Sequence, residues 1–283
     1  MEIWFARYTL TPRRRLSAIA RDGVREGALL RVGDGFADVH PWPELGDAPL
    51  DEQLALLARG ELTPLTRCSL RCAALDGEAR RRGVSLFEGL IIPESHWTGD
   101  DPPEGFDTVK LKSAAKIPAG VRVRLDLNAT LSAPEFERMA MTLPRERIDF
   151  IEDPCPYDGP AWRALRERTG LRLALDRGVA YEGVDVLVVK PALASEWPAF
   201  HGEFDGEIVV TSYMDHPVGQ MFAAYVAATH AVSARCGLFT HVLYEAHPFS
   251  EAMRSDGARL LSPGGTGLGF DELLASLPWK RVA

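Results

Sequence analysis

No stretch of this 283-residue sequence approaches the run of about 20 apolar residues that a membrane-spanning helix needs. The opening Met-Glu-Ile-Trp-Phe lacks a basic segment leading into an apolar one, so no secretory signal is expected and the cytoplasm is the expected compartment. Cysteine is scarce. The four present, Cys68, Cys72, Cys155 and Cys236, contain no CxxC pair, which excludes a disulfide framework. Cys68 and Cys72 stand one helical turn apart and are expected to be small buried side chains. The seven histidines are scattered without metal spacing, and His241 and His247 are expected in loops. Positive charge is in deficit, with 32 Lys and Arg against 40 Asp and Glu and a net charge of −8, which argues against a nucleic-acid surface. A local basic cluster, Arg13-Arg14-Arg15, follows Thr11-Pro12 and reads as a solvated turn. No coiled-coil period or conspicuous apolar edge appears, so the sequence leaves the oligomeric state open, a monomer among the plausible states.

What is present is an ordinary globular composition, 46% hydrophobic, in a chain long enough for one large domain or two ordinary ones. The first 85 residues read as α+β. A strand over 3–10 precedes a hairpin over 27–39, whose Asp34-Gly35 favours a tight reversal. Asp51 caps one expected helix, and a second runs from about 65 to 82 and stops at Gly83. From residue 86 the texture changes to short apolar runs at 87–92, 108–111, 121–127, 148–151, 171–175, 184–189, 207–211 and 237–240. Amphipathic helices are expected between several of them, at 134–143, 160–169 and 218–232. Eight strands alternating with helices predict a closed (β/α) barrel, with a doubly wound open sheet as the runner-up. Only eight residues separate Lys112 from Val121, and 93–103 reads as loop, so the barrel is trimmed after its first two strands.

Catalytic groups of such a barrel gather at the C-terminal ends of its strands. There the sequence places Lys110-Leu-Lys112, Asp126-Leu-Asn128, Glu152-Asp153-Pro154, Asp176, Lys190-Pro191 and Thr211-Ser212 in succession. Strand alternation puts Lys110 and Lys112 on one face. The carboxylates at 126, 152 and 176 recur 26 and 24 residues apart, one βα unit each time. Three anions on adjacent strands would repel unless a cation neutralised them, and an all-oxygen set suits Mg²⁺. With lysines on either side, the set matches chemistry in which a metal stabilises an enolate oxygen while a lysine removes the proton α to a carboxylate. Singly, each element has an ordinary role as helix cap, turn or surface charge; their joint order and period carry the inference.

In that order, Lys-x-Lys, Asp-x-Asn, Glu-Asp-Pro, Leu-Asp and Val-Lys-Pro, the chain resembles the enolase superfamily, in its muconate-lactonizing and o-succinylbenzoate synthase branch. The resemblance covers nearly the whole chain. It includes Gly33-Asp34-Gly35-Phe36 of the capping hairpin, the stretch 211–219 (Thr-Ser-Tyr-Met-Asp-His-Pro-Val-Gly) and the late run Gly264-Gly265-Thr266-Gly267-Leu268-Gly269. It implies a modified TIM-type (β/α) barrel over 86–283 behind an α+β capping domain over 1–85, with the C-terminal tail free to return to the cap. It implies Asp126, Glu152 and Asp176 as ligands of Mg²⁺, for which Mn²⁺ substitutes. Lys112 becomes the general base, Lys110 its electrostatic neighbour, and Lys190 an opposite acid/base or a cation against the substrate ring. Asn128 supports the metal shell, and Ser212 with Thr211 meets a small-molecule carboxylate substrate. The implied reaction is the dehydration that yields o-succinylbenzoate for menaquinone biosynthesis. Dipeptide epimerase, N-acylamino-acid racemase and muconate-type cycloisomerase are alternatives, with Asp215 available to bind an α-ammonium; a non-catalytic metal-binding barrel is a remote one. One departure stands out: Arg177-Gly178 follows Asp176 where the branch usually has Glu.

Overall fold

A computed structural model describes residues 2–17, 20–176, 181–194 and 202–282. Arg177 and Gly178, where the sequence departs from its branch, lie outside the described residues.

The N-terminal part is an antiparallel sheet faced by helices. Strand β1 (Ile3–Leu10) pairs along its whole length with β2 (Arg25–Val32), which turns through Gly33-Asp34 into β3 (Gly35–Val39). Helix α1 (Leu50–Ala58) follows. Asp51 lies within its first turn, where its carboxylate meets Arg7, and Pro49 is the cap residue. Helix α2 (Pro64–Arg81) begins with a reciprocal cap: Thr66 N donates to Thr63 Oγ1 at 3.2 Å and Thr63 N to Thr66 Oγ1 at 2.9 Å. Its Cys68 and Cys72 are buried and free. It lies so close to β3 that a Cβ on Gly35 would stand 1.8 Å from Ala73 O; only glycine fits there.

The second part is a curled parallel sheet of seven strands: β4 (Trp97–Thr98), β5 (Thr108–Leu111), β6 (Arg122–Asp126), β7 (Ile148–Glu152), β8 (Leu173–Asp176), β9 (Val186–Val189) and β10 (Glu207–Val210), paired in that order. Helix α3 (Ala133–Ala140) connects β6 to β7, α4 (Gly159–Thr169) connects β7 to β8, and α5 (Pro217–Thr229) follows β10. No helix separates β5 from β6, as the eight-residue connection requires. Alternation sorts the side chains into two cores. Val109, Leu111, Val123, Leu125, Phe136 and Trp162 fill the layer between sheet and helices, while Phe150, Ala174, Val186, Val188 and Val209 fill the barrel interior.

Two strand expectations are corrected. The run 87–92 forms no strand, because Phe87 and Ile92 are drawn into the apolar core beneath α5; the first barrel strand is Trp97–Thr98. The expected eighth strand survives only as bridges, Ser95 to Cys236 and Thr211 to Gly237, which link the first and seventh strands and so close the ring. Beyond it lie α6 (Pro248–Glu251), a hairpin of β11 (Arg254–Asp256) and β12 (Arg259–Leu261), α7 (Asp271–Ala275) and β13 (Lys280–Arg281), which pairs with β1. The glycine-rich run clamps α2: Leu268 N donates to Asp76 Oδ1 at 2.6 Å and Arg80 Nη2 donates to Gly269 O at 2.8 Å. No helix among the described residues is long and apolar enough to cross a membrane.

Helix α5 is apolar nearly all round and is buried between the barrel and the β3–α2 layer, where Met221 and Phe222 share a core with Leu29, Ala37 and Cys72. Beside it, two carboxylates converge over Gly219, whose absent Cβ would stand 2.6 Å from Asp215 Oδ2 and 2.8 Å from Asp38 Oδ2. Tyr8 Oη donates to Asp38 Oδ1 at 2.6 Å and His216 N to Asp38 Oδ2 at 3.0 Å. Burial, joined by the charge of Asp215, raises the Asp38 pKa, and burial pushes that of Asp215 up to about 7. A carboxyl raised in the folded state stabilises most below its unfolded value near 3.8, and that stability is lost as pH rises through about 7. Asp215→Asn, with an amide able to donate to Asp38, is therefore expected to match the wild type near pH 5. It should exceed the wild type in stability by up to about 3 kcal/mol at pH 8.5, the share of the shift that lies above pH 5. Urea denaturation at both pH values checks this; a gap that does not widen with pH would contradict it.

Candidate active site

The C-terminal ends of β5 to β9 carry one inward-facing row of charge. In the ladder Asp126 is level with Glu152. Ala174 is level with Glu152 and Asp176 with Val188, so Asp176 and Lys190 each sit two residues further along on the same face. Lys110 Nζ donates to Glu152 Oε1 and Oε2 at 2.7 and 2.8 Å and stands 2.9 Å from Asp126 Oδ2. Lys112 meets the same Asp126 oxygen, and Lys190 meets Asp176 Oδ1. Asn128 holds Asp126 Oδ1 through its backbone N at 3.1 Å and Nδ2 at 2.6 Å, using a left-handed backbone with φ 49°. Asp176 N donates to Asp153 Oδ1 at 3.1 Å, so Asp153 braces the third carboxylate.

The electrostatics separate the two lysines of the pair. Burial lowers the Lys110 pKa, but the carboxylates of Asp126, Glu152 and Asp176 outweigh it and hold the group above the ordinary lysine value. Lys112 goes the other way: burial and then the Lys110 ammonium pull it below that value, against the attraction of Asp126. Burial opposes ionisation of Asp126, yet Lys110 and Lys112 keep it well below the carboxylate range. Glu152 is raised, by burial and then by the Asp126 charge.

Among the described residues no three carboxylate, imidazole or thiol groups converge closely enough to share one ion. The ammonium of Lys110 stands between Asp126 and Glu152, and that of Lys190 against Asp176. The residues nonetheless fit a hard divalent cation: the donors are all oxygen and lie on one face, and the Lys110 ammonium marks a cation position bound by two of them. The buried Oδ1 of Asn128, which has no protein partner, adds a further oxygen beside them.

These groups line a cavity at the barrel mouth, Asp126, Asn128, Asp176 and the three lysines among them. Thr211 and Ser212 line it from the strand-seven end; the Thr211 hydroxyl is buried without a partner, and Ser212 Oγ lies 2.5 Å from Thr240 Oγ1. Asp215 is not in the cavity. It is buried against Asp38 and Gly219, which removes the acid that an α-ammonium substrate would have met. The N-terminal part contributes Leu16, Ser17 and Leu45. It is tied down there by the basic turn, whose three arginines stay exposed as expected: Arg13 Nε donates to Tyr244 O and Arg14 Nη2 to Thr98 O, both at 2.7 Å. Sequence reasoning missed His96 and Thr98, because it took 87–92 for the first strand. The alternating Ser95-His96-Trp97-Thr98 before Gly99 was the available signal.

Comparison with known proteins agrees with this architecture. Residues 3–79 match the family model for the O-succinylbenzoate synthase N-terminal domain. The chain is 35% identical, over a 330-position alignment, to the o-succinylbenzoate synthase of Bdellovibrio bacteriovorus, covering 100% of this chain and 99% of that protein. Among solved structures it resembles a mandelate racemase/muconate lactonizing protein from Herpetosiphon aurantiacus (TM-score 0.77, 16% identity, 94% of this chain and 96% of that one). It equally resembles the dipeptide epimerase of Cytophaga hutchinsonii, solved with Mg and the dipeptide D-Ala-L-Val (TM-score 0.77, 13% identity, 100% and 99%). At those identities the structural likenesses speak for the fold alone.

Proposed function

The chain belongs to the o-succinylbenzoate synthase family of the enolase superfamily, and from that premise we propose that Lys112 is the base of a dehydration forming o-succinylbenzoate from a cyclohexadiene hydroxy-carboxylate. The observation that carries the assignment is the inward row of Lys110, Lys112, Asp126, Glu152, Asp176 and Lys190 on adjacent strand ends, in which Lys112 is the lysine whose ammonium is disfavoured. As a neutral amine Lys112 takes the α-proton. As an ammonium it then delivers that proton to the departing hydroxide on the same face, and the ring becomes aromatic. Lys110, held charged by Glu152 and Asp126, stays in place as fixed positive charge beside the base. Lys190 lies across the cavity as a cation against the ring, and the hydroxyls of Ser212 and Thr211 donate to a substrate carboxylate.

Asp126, Glu152 and Asp176 would hold the divalent cation, with Mg²⁺ as the working ion and Mn²⁺ able to replace it. When bound it supplies positive charge where the substrate carboxylate gathers negative charge. Residues 1–85 serve as the cap that closes the cavity and 86–283 as the catalytic barrel, a division supported by the separate cap and barrel sheets, with Lys280–Arg281 of the tail returning to the cap sheet. The enzyme works on a small cytoplasmic acid.

The test is an absorbance assay on the cyclohexadiene precursor with protein stripped by EDTA. Turnover is expected to be absent in EDTA and restored by Mg²⁺ or Mn²⁺. A folded, metal-binding protein that leaves the precursor unchanged would overturn the substrate assignment.

A further inference from the structure

We propose that His96 is a substrate-binding residue whose Nε2–H donates to an oxygen of the bound dicarboxylate. The inference rests on the reaction assigned above and adds a contact to it. His96 is 3% exposed and lines the same cavity as Lys110, Lys112 and Thr211. Its backbone N donates to Cys236 O at 2.8 Å, which fixes the residue where the first strand meets the remnant of the eighth.

The orientation of the ring follows from its neighbour. His96 Nδ1 lies 3.0 Å from Arg124 Nη1, and a guanidinium only donates, so Nδ1 accepts and the ring proton belongs on Nε2. Arg124 is itself immobilised. Its Nε donates to Asp149 Oδ2 and its Nη1 to Arg235 O, both at 2.7 Å, and its guanidinium lies 4.6 Å over the Phe150 ring. Burial, then the charges of Arg124 and Lys110, oppose a second proton, so the imidazole remains neutral.

No hydrogen bond joins Nε2 to another described residue. Across from it, a Cβ on Gly237 would stand 3.1 Å from Nε2, 2.9 Å from Cε1 and 2.6 Å from Thr211 Cγ2; glycine keeps the approach to Nε2 open. Asp126 and Glu152 are already taken by the lysines, so the donor is left for a ligand. A fixed N–H beside the Lys110 ammonium attracts an anionic oxygen and repels a cation. A dicarboxylate that turns one carboxylate to the metal ligands has other oxygens in need of such a donor.

Steady-state kinetics and product inhibition by o-succinylbenzoate, at saturating Mg²⁺, test this with His96→Leu, His96→Gln and Gly237→Ala. In H96L, KM and the inhibition constant should rise about 10- to 100-fold, the range of a hydrogen bond to a charged oxygen. The Mg²⁺ titration midpoint should hold, and kcat should change far less than KM. H96Q, whose amide can accept from Arg124 and still donate, should stay within a few-fold of wild type. G237A, whose methyl group would press on Nε2 and displace the His96 ring and the Thr211 methyl it meets below 3.0 Å, should reproduce the KM rise with the imidazole still present. Unchanged KM in H96L or G237A with an active wild type overturns the role of His96, as does a defect in H96L that H96Q shares in full. An inactive wild type would instead count against the reaction itself.

Discussion

Lys112→Ala is expected to lower kcat by about 10²–10⁴-fold, the contribution of a positioned general base, while leaving fold and metal affinity in place. The separation is possible because the Lys112 side chain is 33% exposed and Asp126 keeps a second ammonium, that of Lys110, at 2.9 Å. An ion pair on a partly exposed group contributes about 0–1 kcal/mol, so the thermal midpoint should barely move. A single-turnover measurement in deuterated water would read the step directly, since the variant should stop exchanging the substrate's α-proton. Retention of more than a tenth of wild-type turnover would remove Lys112 from the role of base and turn attention to Lys190 across the cavity.

Glu152→Leu should act on both stability and metal binding. In the protein without metal, Glu152 takes both short hydrogen bonds of the buried Lys110 ammonium, at 2.7 and 2.8 Å. Removing it leaves that ammonium to share Asp126 with Lys112. Breaking a buried pair in this way costs about 3–5 kcal/mol, because one charge is left buried and poorly compensated. The double variant Lys110→Met/Glu152→Leu should recover most of this loss, as replacing both partners with apolar groups removes the stranded charge. Neither variant should bind Mg²⁺ measurably or turn over substrate. Denaturation in EDTA together with metal titration decides the matter: a single variant as stable as wild type, or one that retains Mg²⁺ affinity, would contradict the assignment of Glu152.

Much of the site was legible because its signals are local and periodic. The spacing of Asp126, Glu152 and Asp176 by one βα unit, and the alternation of Lys110 with Lys112, fix which strand ends carry charge and on which face. The eight-residue connection after Lys112 is shorter than the dozen or so residues that a crossover helix needs, and no helix is there. Helix α4 stops at Gly170 in the left-handed conformation, φ 66°, as its sequence signal requires. The apolar run at 87–92 misled for a reason within the same logic. A short apolar run fits a buried strand or any other buried segment equally well, and this one feeds the core under α5.

The sequence by itself thus indicated parallel βα units, with the barrel favoured over an open sheet, and the row of lysines and carboxylates at the strand ends. Each follows from a period or a spacing within a few tens of residues. Only the tertiary structure decided that the first and eighth strands shrink to a short strand and two bridges, that His96 faces the cavity, and that Asp215 turns away from it toward Asp38. Those outcomes depend on contacts between positions far apart in the chain, His96 with Arg124 and Cys236, Asp215 with Asp38. Close packing and the need to partner buried polar groups choose among such arrangements, and no local pattern of residues encodes the choice.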